Sequence, residues 1–183
     1  IPLRLVGSEM CIRDSSKEFA KTIKEICKKK KILLIADEIQ GGIGRTGKIF
    51  AYKHYGVSPD IITTAKGLGS GIPIGATIVK KDIAKKINIG FHGSTFGGGM
   101  LQTRVAYNVF KTINKIGFLN NIKTKGILLE KLLNNLHSNC HVIKDIRIKG
   151  LMAGIEFKNN KTALEVYKDL SLIHISEPTR RRG

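Results

Sequence analysis

From Phe19 to Cys27 the apolar residues Phe19, Ile23, Ile26 and Cys27 recur at helical spacing with lysines between them, which predicts an amphipathic helix. The lysine run Lys28 to Lys31 ends it, and the continuous apolar run Ile32 to Ala36 predicts a short strand covered on both faces of a sheet. Pro59-Asp60 introduces a second apolar strand, Ile61 to Thr64, and Pro73 leads into a third near Ile74 to Val79. Strands separated by helical stretches indicate an α/β sheet.

Between and beyond these strands the pattern alternates glycine-rich loops with helices. Gly41-Gly42-Ile43-Gly44-Arg45-Thr46-Gly47 is too glycine-rich for a regular element and predicts a shaped loop. It lacks the lysine placement of a phosphate-binding GxxxxGK[ST] loop. Residues 48–56 predict a short aromatic-bearing helix or turn, and Lys80 to Ile87 a short basic helix. A second glycine-rich loop, Phe91 to Gly99, precedes a helix from Leu101 to Asn114, and a further helix runs from Leu119 to Leu136 with Gly126 against its propensity. Ile143 to Ile148 and Leu151 to Phe157 then predict two strands, and Lys161 to Asp169 another helix. The change from a long helix to a strand pair marks entry into a smaller domain.

Composition narrows the functional classes. A chain of 183 residues, 42% apolar, can bury a substantial core in one or two domains. The formal charge of +18, from 32 Lys and Arg against 14 Asp and Glu, taken alone suggests an anionic partner. The interior lysines are scattered, however, with no zinc-finger spacing, arginine cluster or RNP-like aromatic strand among them. A bias toward Lys, Ile and Asn on a solvated surface accounts for them, and no nucleic-acid partner is expected. The cysteines Cys11, Cys27 and Cys140 have no CxxC spacing and form no cluster with the histidines, so a reduced cytoplasmic setting without a metal is expected. No apolar run reaches membrane-spanning length, and no membrane partner is expected.

Both ends read as extraneous. Residues 7–14, Gly-Ser-Glu-Met-Cys-Ile-Arg-Asp, and residues 170–180, Leu-Ser-Leu-Ile-His-Ile-Ser-Glu-Pro-Thr-Arg, resemble translations of one transposase-type sequencing adapter and of its reverse complement. Residues 1–15 and 170–183 are therefore expected to be non-native read-through around a piece of a longer protein. Arg180-Arg181-Arg182 and His174 carry no functional reading.

Chemistry concentrates at two strand exits. The acidic pair Asp37-Glu38 closes the first apolar run, and Lys66 follows the second within Thr64-Ala65-Lys66-Gly67-Leu68-Gly69. A lysine and a carboxylate so placed can hold an aldehyde cofactor by its carbonyl and by its ring nitrogen. From the residues alone Glu38 competes with Asp37 for the second task.

The ordered motifs Leu34-Ile35-Ala36-Asp37-Glu38-Ile39-Gln40, Gly42-Ile43-Gly44-Arg45-Thr46-Gly47, Thr64-Ala65-Lys66-Gly67-Leu68-Gly69, Pro73-Ile74-Gly75 and His92-Gly93-Ser94-Thr95-Phe96-Gly97-Gly98 resemble the class III, or ornithine-aminotransferase-like, pyridoxal-phosphate enzymes. The match spans residues 17–169, and within the class it is most similar to the acetylornithine aminotransferases. The resemblance implies a partial fold-type I α/β transferase, with part of the large-domain sheet in residues 16–118. An interdomain helix and the start of the small C-terminal domain then occupy 119–169.

It also implies roles. Lys66 is the lysine that condenses with the aldehyde of pyridoxal 5'-phosphate and then shuttles a proton; Asp37 pairs with the pyridine nitrogen; Gln40 lies beside the phenolic oxygen. Thr95 donates to a phosphate across a homodimer interface, reaching the neighbouring subunit's cofactor, with Ser94 contributing backbone contacts. Arg45 is assigned a structural loop role and His92 a packing or hydrogen-bonding one. The chain departs from the family where Gly99-Met100 replaces the usual Asn-Pro, which alters that loop. The phosphate cup, the ring-stacking aromatic residue and the arginine for the substrate carboxylate belong to family segments outside this interior.

The implied reaction transfers an amino group from N-acetylornithine to 2-oxoglutarate in arginine biosynthesis. Ornithine, 4-aminobutyrate and succinyldiaminopimelate are the alternative donors, and a catalytically silent packing module is the alternative of a different class.

Overall fold

The computed structural model describes residues 16–172; of the stretches expected to be read-through, 1–15 and 173–183 lie outside the described residues, while 170–172 continue the last helix. Helix α1, Lys17–Lys30, begins where the Ser16 hydroxyl accepts the Phe19 amide at 3.0 Å. Lysines fill its last turn, where they complement the helix dipole. It ends at Lys31, whose left-handed backbone (φ 54°) returns its N–H to the Cys27 and Lys28 carbonyls.

Three strands form one sheet in the order β1-β2-β3: β1 Ile35–Asp37, β2 Ile61–Thr64 and β3 Ala76–Val79. β1 runs parallel to β2 and β3 antiparallel to it, so the sheet is mixed. Asp60 ties all three together. Its carboxylate accepts the Leu34 amide at 2.8 Å and the Lys80 ammonium at 2.8 Å, ahead of β1 and just past β3. The Leu34 amide, then Lys80, holds the Asp60 carboxyl below its ordinary value.

Two expectations change here. The first strand begins at Ile35, not Ile32, and it is not covered on both faces: Ile35 is 57% exposed and Leu33 50%. β2 is the element packed on β1, and among the described residues nothing covers the apolar side chains Ile32, Leu33 and Ile35. Continuous hydrophobicity encodes a layer that these residues do not themselves supply.

After β3 come α2, Lys81–Ala84, the exposed loop of residues 88–99, helix α3, Met100–Ile113, and helix α4, Phe118–Asn139. Strands β4, Ile143–Lys149, and β5, Met152–Phe157, then form a separate antiparallel hairpin, with α4 packed on β4 and α5, Asn160–Leu172, on β5. Gly126, in the middle of α4, is explained by a close approach. A Cβ there would lie 2.7 Å from the Gly150 carbonyl oxygen in the β4–β5 turn. A Cβ on Gly150 would in turn lie 2.5 Å from the Thr46 carbonyl carbon, and the Leu151 amide donates to the Arg45 carbonyl at 2.9 Å. The helix, the hairpin turn and the first glycine-rich loop thus meet backbone to backbone, which only glycine permits. Arg45 contributes its main chain to this junction, as a structural loop residue should.

Candidate active site

The parallel pairing of β1 and β2 builds the site. Its register sets Ile35 against Ile61 and Asp37 against Thr63, so the Asp37 exit and the strand leading to Lys66 lie side by side at one end of the sheet. The Asp37 carboxylate is exposed, and its Oδ1 accepts the Ile39 amide at 3.0 Å and the Thr63 hydroxyl at 3.2 Å.

Glu38 points elsewhere. It is 2% exposed, and its two oxygens accept the Ala51 and Tyr52 amides, each at 2.7 Å, at the start of the 3₁₀ turn Ala51–His54. Burial raises its pKa above the ordinary carboxylate value, and the two amide hydrogen bonds oppose that rise. A carboxylate spent on two backbone donors is a structural cap, which removes Glu38 as the rival of Asp37. Phe50, stacked on Tyr52 at 5.9 Å and tilted against Phe110 at 6.5 Å, anchors that turn to α3.

Lys66 opens a 3₁₀ turn, Lys66–Leu68, directly after β2, with an exposed side chain and a left-handed backbone, φ 44°. A non-glycine residue in that region costs roughly 1–3 kcal/mol and persists only where its surroundings enforce it. Buried Leu68 pins the turn from inside, and α3 packs against it. At Gly69 a Cβ would fall 1.8 Å from the Ile72 carbonyl oxygen, so the chain can double back after the lysine only with glycine there.

Gln40 lies half-buried in the turn after Asp37. Ser94 and Thr95 are exposed in the loop before α3, where the Ser94 carbonyl accepts the Gly97 amide at 3.2 Å. No hydrogen bond joins Ser94 or Thr95 to Asp37 or Gln40 among the described residues. The sequence motifs also passed over Thr63; the signal available was a hydroxyl at the penultimate position of β2, in register with Asp37.

The exposed donors fit pyridoxal phosphate in their chemistry: an amine for an aldehyde at Lys66 and a carboxylate for a pyridine nitrogen at Asp37. An apolar groove of about 420 Å³ adjoins the Lys66 turn, lined by Ile43, Gly67, Val105, Val109, Ile113 and Phe118 among others. It presents no titratable side chain and is not the reacting centre. Among the described residues no His, Cys, Asp and Glu gather in a metal-binding group, and no helix is long and apolar enough to cross a membrane.

The family pattern described as Aminotransferase class-III matches residues 4–175. The chain belongs to the class III aminotransferases. It is 45% identical over 156 residues to an acetylornithine aminotransferase of Caldanaerobacter subterraneus subsp. tengcongensis, covering 85% of this chain and 39% of that protein. To the acetylornithine aminotransferase of Bacillus subtilis it is 46% identical over 156 residues, 85% of this chain and 40% of that one. Among solved structures, acetylornithine aminotransferase from Elizabethkingia anophelis superposes with a TM-score of 0.76 at 34% identity, over 85% of this chain and 40% of that chain. Ornithine delta-aminotransferase of Plasmodium falciparum gives 0.72 at 35%, over 79% and 37%.

The chain therefore spans about two fifths of the length of the curated relatives it matches. Its α/β architecture is part of the fold-type I aminotransferase fold, and class III aminotransferases are pyridoxal-phosphate enzymes.

Proposed function

We propose that this chain carries the cofactor-anchoring part of an aminotransferase that moves the amino group of N-acetylornithine to 2-oxoglutarate, a step of arginine biosynthesis in the cytoplasm. The donor assignment rests on relatives named acetylornithine aminotransferase at 45% and 46% identity. The anchoring role rests on one observation above the others: the register that pairs Asp37 with Thr63 at the strand exit leading to Lys66.

Bound pyridoxal phosphate would supply an aldehyde carbon and a conjugated ring able to delocalise electrons from the substrate's α-carbon. Lys66 would hold that aldehyde through its Nζ and, as a free amine, would serve as the base that takes and returns the proton of the substrate's α-carbon. Asp37 keeps the ring nitrogen protonated, which strengthens the electron-withdrawing character of the ring. Gln40 donates beside the phenolic oxygen. Ser94 and Thr95, exposed before α3, serve a phosphate in the partner of a homodimer, and residues 119–169 form the interdomain helix and the start of a small domain.

The test is to mix the 183-residue chain with stoichiometric pyridoxal 5'-phosphate, reduce with borohydride and map the modified peptide. Label concentrated on Lys66, and lost in Lys66→Ala while other lysines stay unmodified, supports the anchoring role. Label spread evenly over the surface lysines overturns it. In the longer aminotransferase that carries this segment, formation of glutamate from N-acetylornithine and 2-oxoglutarate, faster than from ornithine, 4-aminobutyrate or succinyldiaminopimelate, is the expected outcome for the donor. Another donor being faster overturns that assignment.

A further inference from the structure

We propose that Thr63 is a positioning residue for Asp37, turning the carboxylate so that its Oδ2 faces the ring nitrogen of pyridoxal phosphate; this rests on the role given to Asp37 above. Side chains alternate along β2: Ile62 and Thr64 are buried, whereas Ile61 and Thr63 are half-buried. The register then makes Thr63 the cross-strand neighbour of Asp37 on the parallel pair.

Either side chain could satisfy the strand with an apolar group, since valine fills the same β-branched shape. What Asp37 uses is the hydroxyl. The Thr63 Oγ1 donates to Asp37 Oδ1 at 3.2 Å while the Ile39 amide donates to the same oxygen at 3.0 Å. One donor comes from the neighbouring strand and one from the residue two positions on, so together they fix both torsions of a short side chain. With Oδ1 engaged twice, Oδ2 is the oxygen turned to a ring N–H.

The adjacent Thr64 is a control within the same strand. It is 2% exposed and its Oγ1 has no partner among the described residues, so a hydroxyl at this end of β2 does not by itself reach a carboxylate. Thr63 also belongs to the strand that leads into the Lys66 turn. Through it the group that holds the aldehyde and the group that holds the ring nitrogen are tied to one another, which fixes their relative placement before any ligand arrives.

Two measurements test this. In urea unfolding of the chain without cofactor, Asp37→Ala, Thr63→Val and the double variant should be non-additive by about fivefold in the unfolding constant; additive effects overturn the proposal. With pyridoxal 5'-phosphate labelled with ¹⁵N at the ring, Thr63→Val should weaken proton binding at that nitrogen by about fivefold, and Thr63→Ser, which keeps the hydroxyl, should restore it. Unchanged titration in Thr63→Val, where Asp37→Asn weakens proton binding, overturns the role of Thr63 and leaves that of Asp37 standing. Unchanged titration in Asp37→Asn as well overturns both.

Discussion

Glu38 shows how neighbouring carboxylates come to do different work. Alternation along the strand exit turns Asp37 outward and Glu38 inward, where two half-buried amides wait at the start of the Ala51–His54 turn. Glu38→Ala leaves both N–H groups without their acceptor and should lower stability by about 1–3 kcal/mol, read from urea unfolding. Its pH dependence has a definite sign. Desolvation raises the folded-state pKa above the ordinary carboxylate value, so between the two values the folded state binds more protons than the unfolded state. The contribution of Glu38 to stability therefore falls as pH rises through that window, and Glu38→Gln should remove that part of the slope. A variant whose unfolding free energy keeps the wild-type slope across the window would refute the burial argument. The residues alone lead as far as the acidic pair, and the family resemblance selects Asp37; the physical reason for the division is not local, because it lies in a turn thirteen residues downstream whose amides need an acceptor.

At the scale of elements, hydrophobic periodicity was sufficient wherever an element is amphipathic. Helices α1, α3 and α4, strand β2 and the β4–β5 pair lie where apolar spacing puts them, with ends moved by a few residues. It failed at β1, where a run of apolar residues encodes coverage rather than pairing length, and it could not explain Gly126. Helix propensity makes that glycine unfavourable by roughly 1 kcal/mol against alanine, yet the reason for it lies in the hairpin turn at Gly150. Gly126→Ala is accordingly a discriminating substitution. On propensity alone it should stabilise α4; with backbone at 2.7–2.9 Å from the new Cβ, the helix must shift off the turn, and a net loss of about 1–3 kcal/mol is expected. Thermal unfolding with a raised midpoint in Gly126→Ala would show that helix and turn do not meet as described. The Lys66 turn obeys the same logic: Gly69 and buried Leu68 enforce a backbone that the lysine itself would not choose.

Across the whole molecule, two opposing surface properties set its behaviour in solution. The net charge of +18 repels copies of the chain from each other. The apolar side chains Ile32, Leu33 and Ile35 beside the open edge of β1, with Phe19 and Ile26 on α1, favour association, because an exposed strand edge carrying apolar residues is a template for another chain. Which wins depends on screening. At low ionic strength the repulsion extends tens of ångströms, whereas near 0.15 M salt the Debye length is about 8 Å and short-range apolar contact dominates. Sedimentation velocity across the micromolar range should therefore show monomer at low salt and larger species at physiological salt, the opposite of what charge-paired association would do. Replacing Leu33 and Ile35 by glutamate is the decisive variant. Two glutamates reduce the net positive charge, so repulsion weakens and association should increase if charge alone governed it. Should the pair instead restore the monomer at physiological salt, the apolar edge is the cause; should the variant associate as the parent does, the contact lies on another face.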